Sequence, residues 1–225
     1  MSLLALVHGA WHDGSCWDPL VPLLEEAGHR VVAPDLPSDD PEAGFAEYAA
    51  AVTAAIGGDP DAVVVGHSLG SDTAALVADA GAARAVVYLC PRFGGVPFAD
   101  GAPPRFRPDA PMPPDDALGR GVWDPEDAVR RMYRPLPEAT ARALAARLRP
   151  QAGLRRRAFP LTAWPAVPSA VIAARDDEWF PAESQRWVAE HVLHARFAEL
   201  PGGHFPMQER PDELAALLLV LIEDR

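Results

Sequence analysis

The pentapeptide from Gly66 to Gly70, Gly-His-Ser-Leu-Gly, is the pattern in this sequence that most directly predicts chemistry. It follows the apolar run Val63–Val65 and precedes the helix-like stretch Ala74–Asp79. A serine at a sharp turn between a strand and a helix projects its hydroxyl above the sheet, and flanking glycines let the strand and the helix approach closely. This context predicts that Ser68 is a nucleophile.

A serine hydroxyl is a weak nucleophile until a base takes its proton, and after such a turn the acid and then the histidine follow along the chain. Three histidines lie late enough. His191 and His194 end a helical stretch, where solvated histidines are common, whereas His204 lies in a glycine loop beyond the last apolar run. We predict His204 as the base and expect both it and Ser68 to lie exposed at strand ends.

The acid that orients the base is expected after the apolar run Ala170–Ala173, where Asp176, Asp177 and Glu178 stand in a row. Its task is to accept a hydrogen bond from the imidazole and to stabilise the imidazolium. Spacing alone does not choose between these neighbours. The other two acidic residues would then belong to a solvated loop, as most charge runs do.

An oxyanion hole is the remaining requirement, with one amide from the residue after the nucleophile and another from the loop after the first strand. The sequence predicts the amides of Leu69 and Ala10 for this role. His8 precedes the nucleophile by about sixty positions, so we expect it to hold this loop by hydrogen bonds. A metal site built from His8, His12 and Asp13 is a weaker interpretation.

Short apolar runs alternate with stretches of helical spacing, which predicts the elements that position these residues. Runs that are continuously apolar indicate strands buried on both faces, as in a parallel sheet between helix layers. The sequence therefore predicts an α/β fold with a doubly wound, mostly parallel sheet of about six strands. The predicted strands are Leu3–Val7, Arg30–Ala33, Ala62–Val65, Ala85–Leu89, Ala170–Ala173 and Ala195–Leu200. The predicted helices are Pro19–Ala27, Ala43–Ile56, Leu69–Ala80, Pro181–His191 and Asp212–Glu223.

The 225 residues are predicted to form one domain, 1–225, with a helical lid inserted at about 92–168. Prolines crowd the start of this insertion, and two helices follow. The first begins at Asp124-Pro125, an N-cap with a proline in the first turn, and the second is predicted over Glu138–Arg149 after Pro137.

Charge divides unevenly between the insertion and the rest of the chain. Residues 101–160 hold 12 Arg against 7 acidic residues, a formal +5, and the rest holds 8 Arg against 25 acidic residues, or −17. One explanation is that a basic lid docks on an acidic body. The other is that lid arginines such as Arg105, Arg107 or Arg134 attract an acidic substrate.

Composition excludes several classes of function. The chain has no Lys, which removes Schiff-base, pyridoxal-phosphate and Walker-type chemistry, and its net charge of −12 opposes nucleic acid and anionic membranes. Cys16 and Cys90 do not form the spaced cluster of cysteines that a zinc site, an iron–sulfur cluster or a disulfide framework would need. No apolar run is long enough to span a bilayer. The N-terminus is predicted to be a buried strand rather than a signal peptide. We expect a cytoplasmic enzyme with a small-molecule substrate and without metal or cofactor, and a homo-oligomer stays open.

Three segments carry a resemblance to a known family: His8–Trp11 with Trp17, then Gly28–Pro37, then Gly66–Gly70. They resemble the α/β-hydrolases that include plant methyl esterases, hydroxynitrile lyases and related bacterial esterases, and the likeness covers most of the chain except the lid. The resemblance implies that the first strand corresponds to the third strand of the family. Ser71 stands where the family usually has a glycine, a departure that bears on helix packing rather than on chemistry.

The same resemblance implies the roles of the site residues. It puts the nucleophile on Ser68, the base on His204 and the oxyanion amides on Ala10 and Leu69. The acid of the family commonly precedes a proline by four positions, which selects Asp177 over Asp176, because Asp177 is four positions before Pro181.

The resemblance leaves three functions to weigh: a carboxylesterase that hydrolyses small esters through an acyl-enzyme on Ser68, a hydroxynitrile lyase, and a ligand-binding protein on a hydrolase fold. The plant lyases have a Lys just after the catalytic His and a Thr in place of Gly9. Here His204 is followed by Phe205-Pro206-Met207 and Lys is missing altogether. We therefore expect ester hydrolysis without cyanohydrin cleavage.

Overall fold

The fold is built on a six-stranded sheet, seen in a computed structural model that describes residues 1–94 and 102–223. The strand order is β2-β1-β3-β4-β5-β6, and every neighbouring pair is parallel. The prediction of an α/β fold with a parallel sheet of about six strands is confirmed. The strands are β1 Leu3–Val7, β2 Arg30–Val32, β3 Ala62–His67, β4 Ala85–Leu89, β5 Ser169–Ala174 and β6 Arg196–Leu200.

Helices cover both faces of the sheet. Successive side chains of a strand point to opposite sides, so continuously apolar strands place apolar side chains on both faces, and both faces have to be buried. Leu4 and Leu6 of β1 belong to one buried apolar cluster, and Leu3 and Ala5 belong to another. The first cluster includes residues of α1 and α8, and the second includes residues of α2, α3 and α6. The helices of this part are α1 Val21–Glu26, α2 Phe45–Ile56, α3 Gly70–Asp79, α6 Ala182–Val188, α7 Pro206–Glu209 and α8 Pro211–Glu223.

The predicted strands and helices of this repeated βα part lie at the predicted places, with ends that differ by up to three residues. The largest difference is at α6, which was predicted to reach His191 but ends at Val188. A π-type turn follows over Ala189–Leu193. This turn ends at His194, whose φ of 49° is left-handed. No helix of residues 1–94 and 102–223 combines the length and the apolar character that crossing a membrane requires.

The segment between β4 and β5 (residues 90–168, the β4–β5 segment) contains the predicted insertion, of which 95–101 lie outside the described residues. Helix α4, Pro125–Asp127, begins as predicted, since the Asp124 carboxylate accepts hydrogen bonds from the amides of Glu126 and Asp127. It continues as a π-type turn over Ala128–Met132.

Helix α5 of the β4–β5 segment begins at Glu138 but ends at Ala145, so its predicted end at Arg149 was wrong. Pro150 disfavours helical backbone at the residue before it. The Arg149 amide also donates to the Trp11 carbonyl at 2.8 Å, which draws the chain away toward the loop after β1.

Replacing Gly70 by Ala is expected to destabilise the protein, because a Cβ there would lie 2.5 Å from the His8 carbonyl oxygen and 2.6 Å from that of Val7. Backbone oxygens cannot move aside cheaply, so we expect the free energy of unfolding to fall by about 1–3 kcal/mol. Gly153→Ala is the matched control, since a Cβ there meets nothing within 4 Å. Urea unfolding of the two variants gives the comparison, and equal losses of stability would contradict the prediction.

Candidate active site

Ser68 lies at a strained turn between β3 and α3. Its φ is 53°, a left-handed value that a residue other than glycine rarely adopts, and its amide donates to the Leu89 carbonyl at 3.0 Å. At Gly66, an added Cβ would come within 2.7 Å of the Ala74 Cβ, so only glycine fits between the strand and the helix. The turn therefore has the geometry of a nucleophile elbow.

Ser71, where the resemblance raised a question about helix packing, fits this elbow. It is buried, and its hydroxyl donates to the Gly66 carbonyl at 2.8 Å. The serine thus satisfies a backbone oxygen inside the turn, and the helix packs closely without a glycine at this position.

Asp177 and His204 form a buried pair at the ends of neighbouring strands β5 and β6. The His204 Nδ1 donates to the Asp177 Oδ2 at 2.8 Å. The other carboxylate oxygen, Oδ1, accepts from the amides of Trp179 at 2.8 Å and Phe180 at 3.0 Å. Both oxygens are therefore occupied, which fixes the plane of the carboxylate and with it the orientation of the ring.

The neighbouring Asp176 points elsewhere. It is exposed, and its carboxylate accepts a long hydrogen bond of 3.4 Å from the Gly202 amide. His191 and His194 are not brought to the site either, because each ring contacts a backbone carbonyl four residues earlier, in the turn that ends α6.

His204 is buried, with 4% of its surface exposed, so our expectation of an exposed base was wrong. The loop after β6 folds inward, and the ring lies 4.7 Å from the ring of Trp179 and 4.7 Å from that of His67 between centroids. The His67 Nε2 donates to the His204 carbonyl at 2.8 Å. Burial holds the pKa of His67 well below its usual value, so His67 is neutral and serves as a fixed donor.

Ser68 and His204 border one cavity of about 360 Å³, and so do Ala10 and Leu69, whose amides are predicted to form the oxyanion hole. Aromatic and methionine side chains form much of the remaining wall. The geometry thus brings all but one of the predicted residues to a common surface, and Asp177 lies directly behind His204.

The loop after β1 (residues 8–13, the β1 loop) approaches the elbow closely. A Cβ at Gly9 would lie 3.0 Å from the Ser68 Cβ, so glycine is required for this approach. Trp11 has a left-handed φ of 67° and is held by the β4–β5 segment, since its indole donates to the Gly121 carbonyl at 3.1 Å. The β4–β5 segment thereby sets the shape of the loop that carries Ala10.

Two buried histidines brace the β1 loop. His8 Nδ1 donates to the Gly9 carbonyl at 2.8 Å while Nε2 accepts from the Leu36 amide at 2.9 Å. His12 Nδ1 donates to the Ala10 carbonyl at 2.7 Å, and its Nε2 accepts from the buried Tyr133 hydroxyl. Burial lowers the pKa of each histidine to about 4, so both are neutral at physiological pH. With both ring nitrogens in use, neither is available to a metal.

Cys90 is a residue of the site that sequence reasoning missed. Its sulfur and the ligand atoms of Asp177 and His204 lie within 4.8 Å of one another. Burial, together with the Asp177 charge, raises the pKa of the thiol well above its usual value, so it stays protonated. The signal in the sequence was its place directly after β4, at the edge where the catalytic ends of parallel strands gather.

Among the described residues, Asp177, His204 and Cys90 are the one group whose atoms could surround a metal ion. A metal there would have to displace the hydrogen bond between His204 and Asp177 and to deprotonate the thiol. The arrangement therefore suits hydrogen bonding better than metal binding.

The three arginines of the insertion that the sequence suggested for contact with a substrate instead contact backbone carbonyls or a carboxylate of the protein. Arg107 Nε donates to the Asp177 carbonyl at 2.6 Å, and Arg134 approaches Glu178 at 3.9 Å. Arg105 donates to the Phe93 carbonyl at 3.2 Å. None of these three is among the described residues that border the cavity, so the contacts favour docking on the acidic body over contact with a substrate.

Comparison with known proteins agrees with this geometry. A family model for the α/β hydrolase family matches residues 4–217. The chain belongs to the α/β-hydrolase family. The resemblance inferred from the sequence is thereby confirmed, including its branch, since plant methylesterases are among the relatives.

Individual relatives match nearly the whole chain. Methylesterase 8 of Arabidopsis thaliana is 27% identical over 97% of this chain and 88% of its own length. Norfluorocurarine synthase 2 of Strychnos nux-vomica is 26% identical over 97% of this chain and 94% of its own length. Among solved structures, a pyrethroid hydrolase from Sphingobium faniae JZ-2 superposes with a TM-score of 0.81 at 24% identity, covering 99% of this chain and 98% of that one. This last likeness shows the shared fold.

Proposed function

We propose that this α/β-hydrolase is a serine carboxylesterase that acts on small esters through an acyl-enzyme on Ser68. The observation that carries the proposal is the 2.8 Å hydrogen bond between His204 and Asp177, with His204 bordering the same cavity as the strained Ser68. The names of relatives, such as methylesterase, support the same class of reaction.

In the proposed acylation, His204 Nε2 takes the proton of the Ser68 hydroxyl as the oxygen attacks the ester carbonyl. The amides of Ala10 and Leu69 donate to the oxyanion that forms, and Asp177 stabilises the imidazolium through Nδ1–H. The tetrahedral intermediate then expels the alcohol, which receives the proton from His204. A water, deprotonated by His204, attacks the acyl-enzyme in the same way and releases the acid.

The cavity indicates a small substrate with an apolar part. Its volume of about 360 Å³ is near the lower end of the range for ligand pockets. Trp179, Phe180 and Met132 contribute apolar walls on which an alkyl or aromatic group can pack.

We expect the enzyme to hydrolyse p-nitrophenyl acetate and not to release cyanide from mandelonitrile. A departing cyanide needs a cation or strong donors in a partly desolvated pocket. The residues after His204 supply no Lys, and among the described residues that border the cavity Arg92 is the one with a permanent positive charge. Both substrates are assayed at mildly acidic pH with Ser68→Ala as the blank.

A fluorophosphonate probe complements these assays, and we expect one equivalent to label Ser68, located by peptide mass spectrometry. Absence of labelling together with absence of turnover would favour a ligand-binding protein. Cyanide release that depends on Ser68, without ester turnover, would establish a lyase instead and refute the proposed function.

A further inference from the structure

Arg92 gives the catalytic cavity a charge that the proposed ester hydrolysis does not use. Among the described residues bordering the cavity, it is the one with a permanent charge, and the others are apolar, small or histidine apart from Ser68. The sequence had suggested Arg105, Arg107 and Arg134 for contact with an acidic substrate. The structure instead brings to the cavity an arginine that lies three positions after the end of β4.

The backbone fixes Arg92 next to the nucleophile. Its amide donates to the Ser68 carbonyl at 3.2 Å. Cys90 and Phe93, on either side of it, have left-handed φ values of 44° and 51°, so the chain turns sharply twice within four residues. The segment after β4 is thereby held against the elbow through the contact between the Arg92 amide and the Ser68 carbonyl.

The guanidinium of Arg92 is also held in place, with 14% of its side chain exposed. Its Nη1 lies 3.5 Å from the carboxylate of Asp72, which is fully buried in the first turn of α3. The Gly94 amide donates to the other Asp72 oxygen at 3.0 Å. A Cβ at Gly94 would come within 2.9 Å of the Arg92 guanidinium, so the glycine makes room for it.

A second cation adjoins the same group. Arg105 donates to the Phe93 carbonyl at 3.2 Å, and its guanidinium is close enough to Arg92 and Asp72 for the charges to affect one another. Repulsion by Arg92 contributes, after burial, to lowering the pKa of Arg105. Among the described residues, this cluster thus contains two guanidinium groups and one carboxylate, a formal excess of one positive charge next to the residue that borders the cavity.

We infer that Arg92 binds an anionic group of the substrate, so that the enzyme prefers esters whose apolar body also carries a carboxylate. This inference rests on the proposed function and names its substrate class. A guanidinium matches a carboxylate in shape and charge, and in a mostly apolar cavity such a contact is stronger than in water. The apolar walls accommodate the rest of the molecule.

Another role for Arg92 would be purely structural, as the counterion of buried Asp72. Removing Arg92 alone would then leave an unpaired buried carboxylate and damage the fold. A double variant, Arg92→Gln with Asp72→Asn, removes both charges together and keeps an oxygen for the Gly94 amide. It separates the two roles, because a structural counterion has no effect on which substrate is preferred.

The test compares kcat/KM for two matched ester pairs. Mono-p-nitrophenyl adipate and p-nitrophenyl hexanoate share their leaving group and chain length, and the adipate carries a carboxylate in the acyl part. 4-Acetoxybenzoate and 4-acetoxybenzamide share their acetyl group. The leaving group of the first carries a carboxylate, and that of the second carries a neutral amide in its place. The readout is the ratio of anionic to neutral ester in the wild type, Arg92→Gln, Arg92→Lys, the double variant and the exposed control Arg134→Gln.

We expect the wild-type ratio to be about tenfold or more in at least one pair, the size of effect of one charge-assisted hydrogen bond. It should fall toward one in Arg92→Gln and in the double variant, remain partly in Arg92→Lys, and stay unchanged in Arg134→Gln. Turnover of neutral esters without any preference, or a preference that survives in the double variant, would overturn the inference alone. Failure of the wild type to hydrolyse every ester would overturn the proposed function and this inference with it.

Discussion

Ser68→Ala and His204→Ala are each expected to lower kcat for p-nitrophenyl acetate by about 10⁵–10⁶-fold, the loss seen when one member of such a triad is removed. Ser68 supplies the attacking oxygen, and without His204 its proton has no acceptor. The residues act as a unit, so the double variant should lose little more than either single variant. Steady-state rates above the buffer blank give the measurement.

Stability has to be followed alongside these rates. His204 is buried, and its removal leaves the Asp177 carboxylate without its imidazole partner. We therefore expect His204→Ala to melt earlier than the wild type, and His204→Gln serves as a variant of closer size. His191→Ala is the matched control, because His191 contacts a backbone carbonyl on α6 and is exposed. Loss of activity in His191→Ala, with activity kept in both His204 variants, would contradict our choice of base.

Asp177→Asn is expected to lower kcat by about 10³–10⁴-fold, whereas Asp176→Asn should stay within about threefold of the wild type. Asp177 accepts the Nδ1–H of His204 at 2.8 Å, and an amide in its place can turn its NH₂ toward the ring and favour the wrong tautomer. Asp176 is exposed and contacts the Gly202 amide at 3.4 Å.

The two asparagine variants have their substitutions at adjacent positions, and each loses one negative charge. Each therefore serves as the control for the other. Initial rates across the pH range and melting temperatures are compared. Equal melting temperatures with unequal rates would assign the effect to catalysis. The reverse order of activities, with Asp176→Asn the weaker enzyme, would mean that the acid had been chosen wrongly.

The sequence by itself determined the sheet and the place of the elbow. Continuously apolar runs such as Leu3–Val7 and Ala85–Leu89 were predicted as strands and are strands with the same ends, because burial on both faces leaves a local signature. Glycines at 66 and 70 around Ser68 were equally readable, since a sharp turn needs small residues at fixed spacing.

Contacts between distant parts of the chain were decided by the tertiary structure. Asp177 differs from Asp176 in its contacts, because its carboxylate accepts from two nearby amides and from an imidazole 27 residues away. Arg107 contacts the Asp177 carbonyl across 70 residues of sequence. Asp176 is exposed and Asp177 is buried although they are adjacent residues of the same type, so nothing in the local sequence distinguishes them.

The role proposed for Arg92 also depends on contacts between distant parts of the chain. Its place soon after β4 was the one signal that set it apart from the other arginines of the insertion, and that signal does not show which way its side chain points. Two left-handed residues bring its backbone amide to the Ser68 carbonyl, and a buried carboxylate on α3 holds its guanidinium near the border of the cavity. Local sequence encodes which residues are buried and where the chain turns, whereas the set of side chains that share one cavity is fixed only when separate elements pack together.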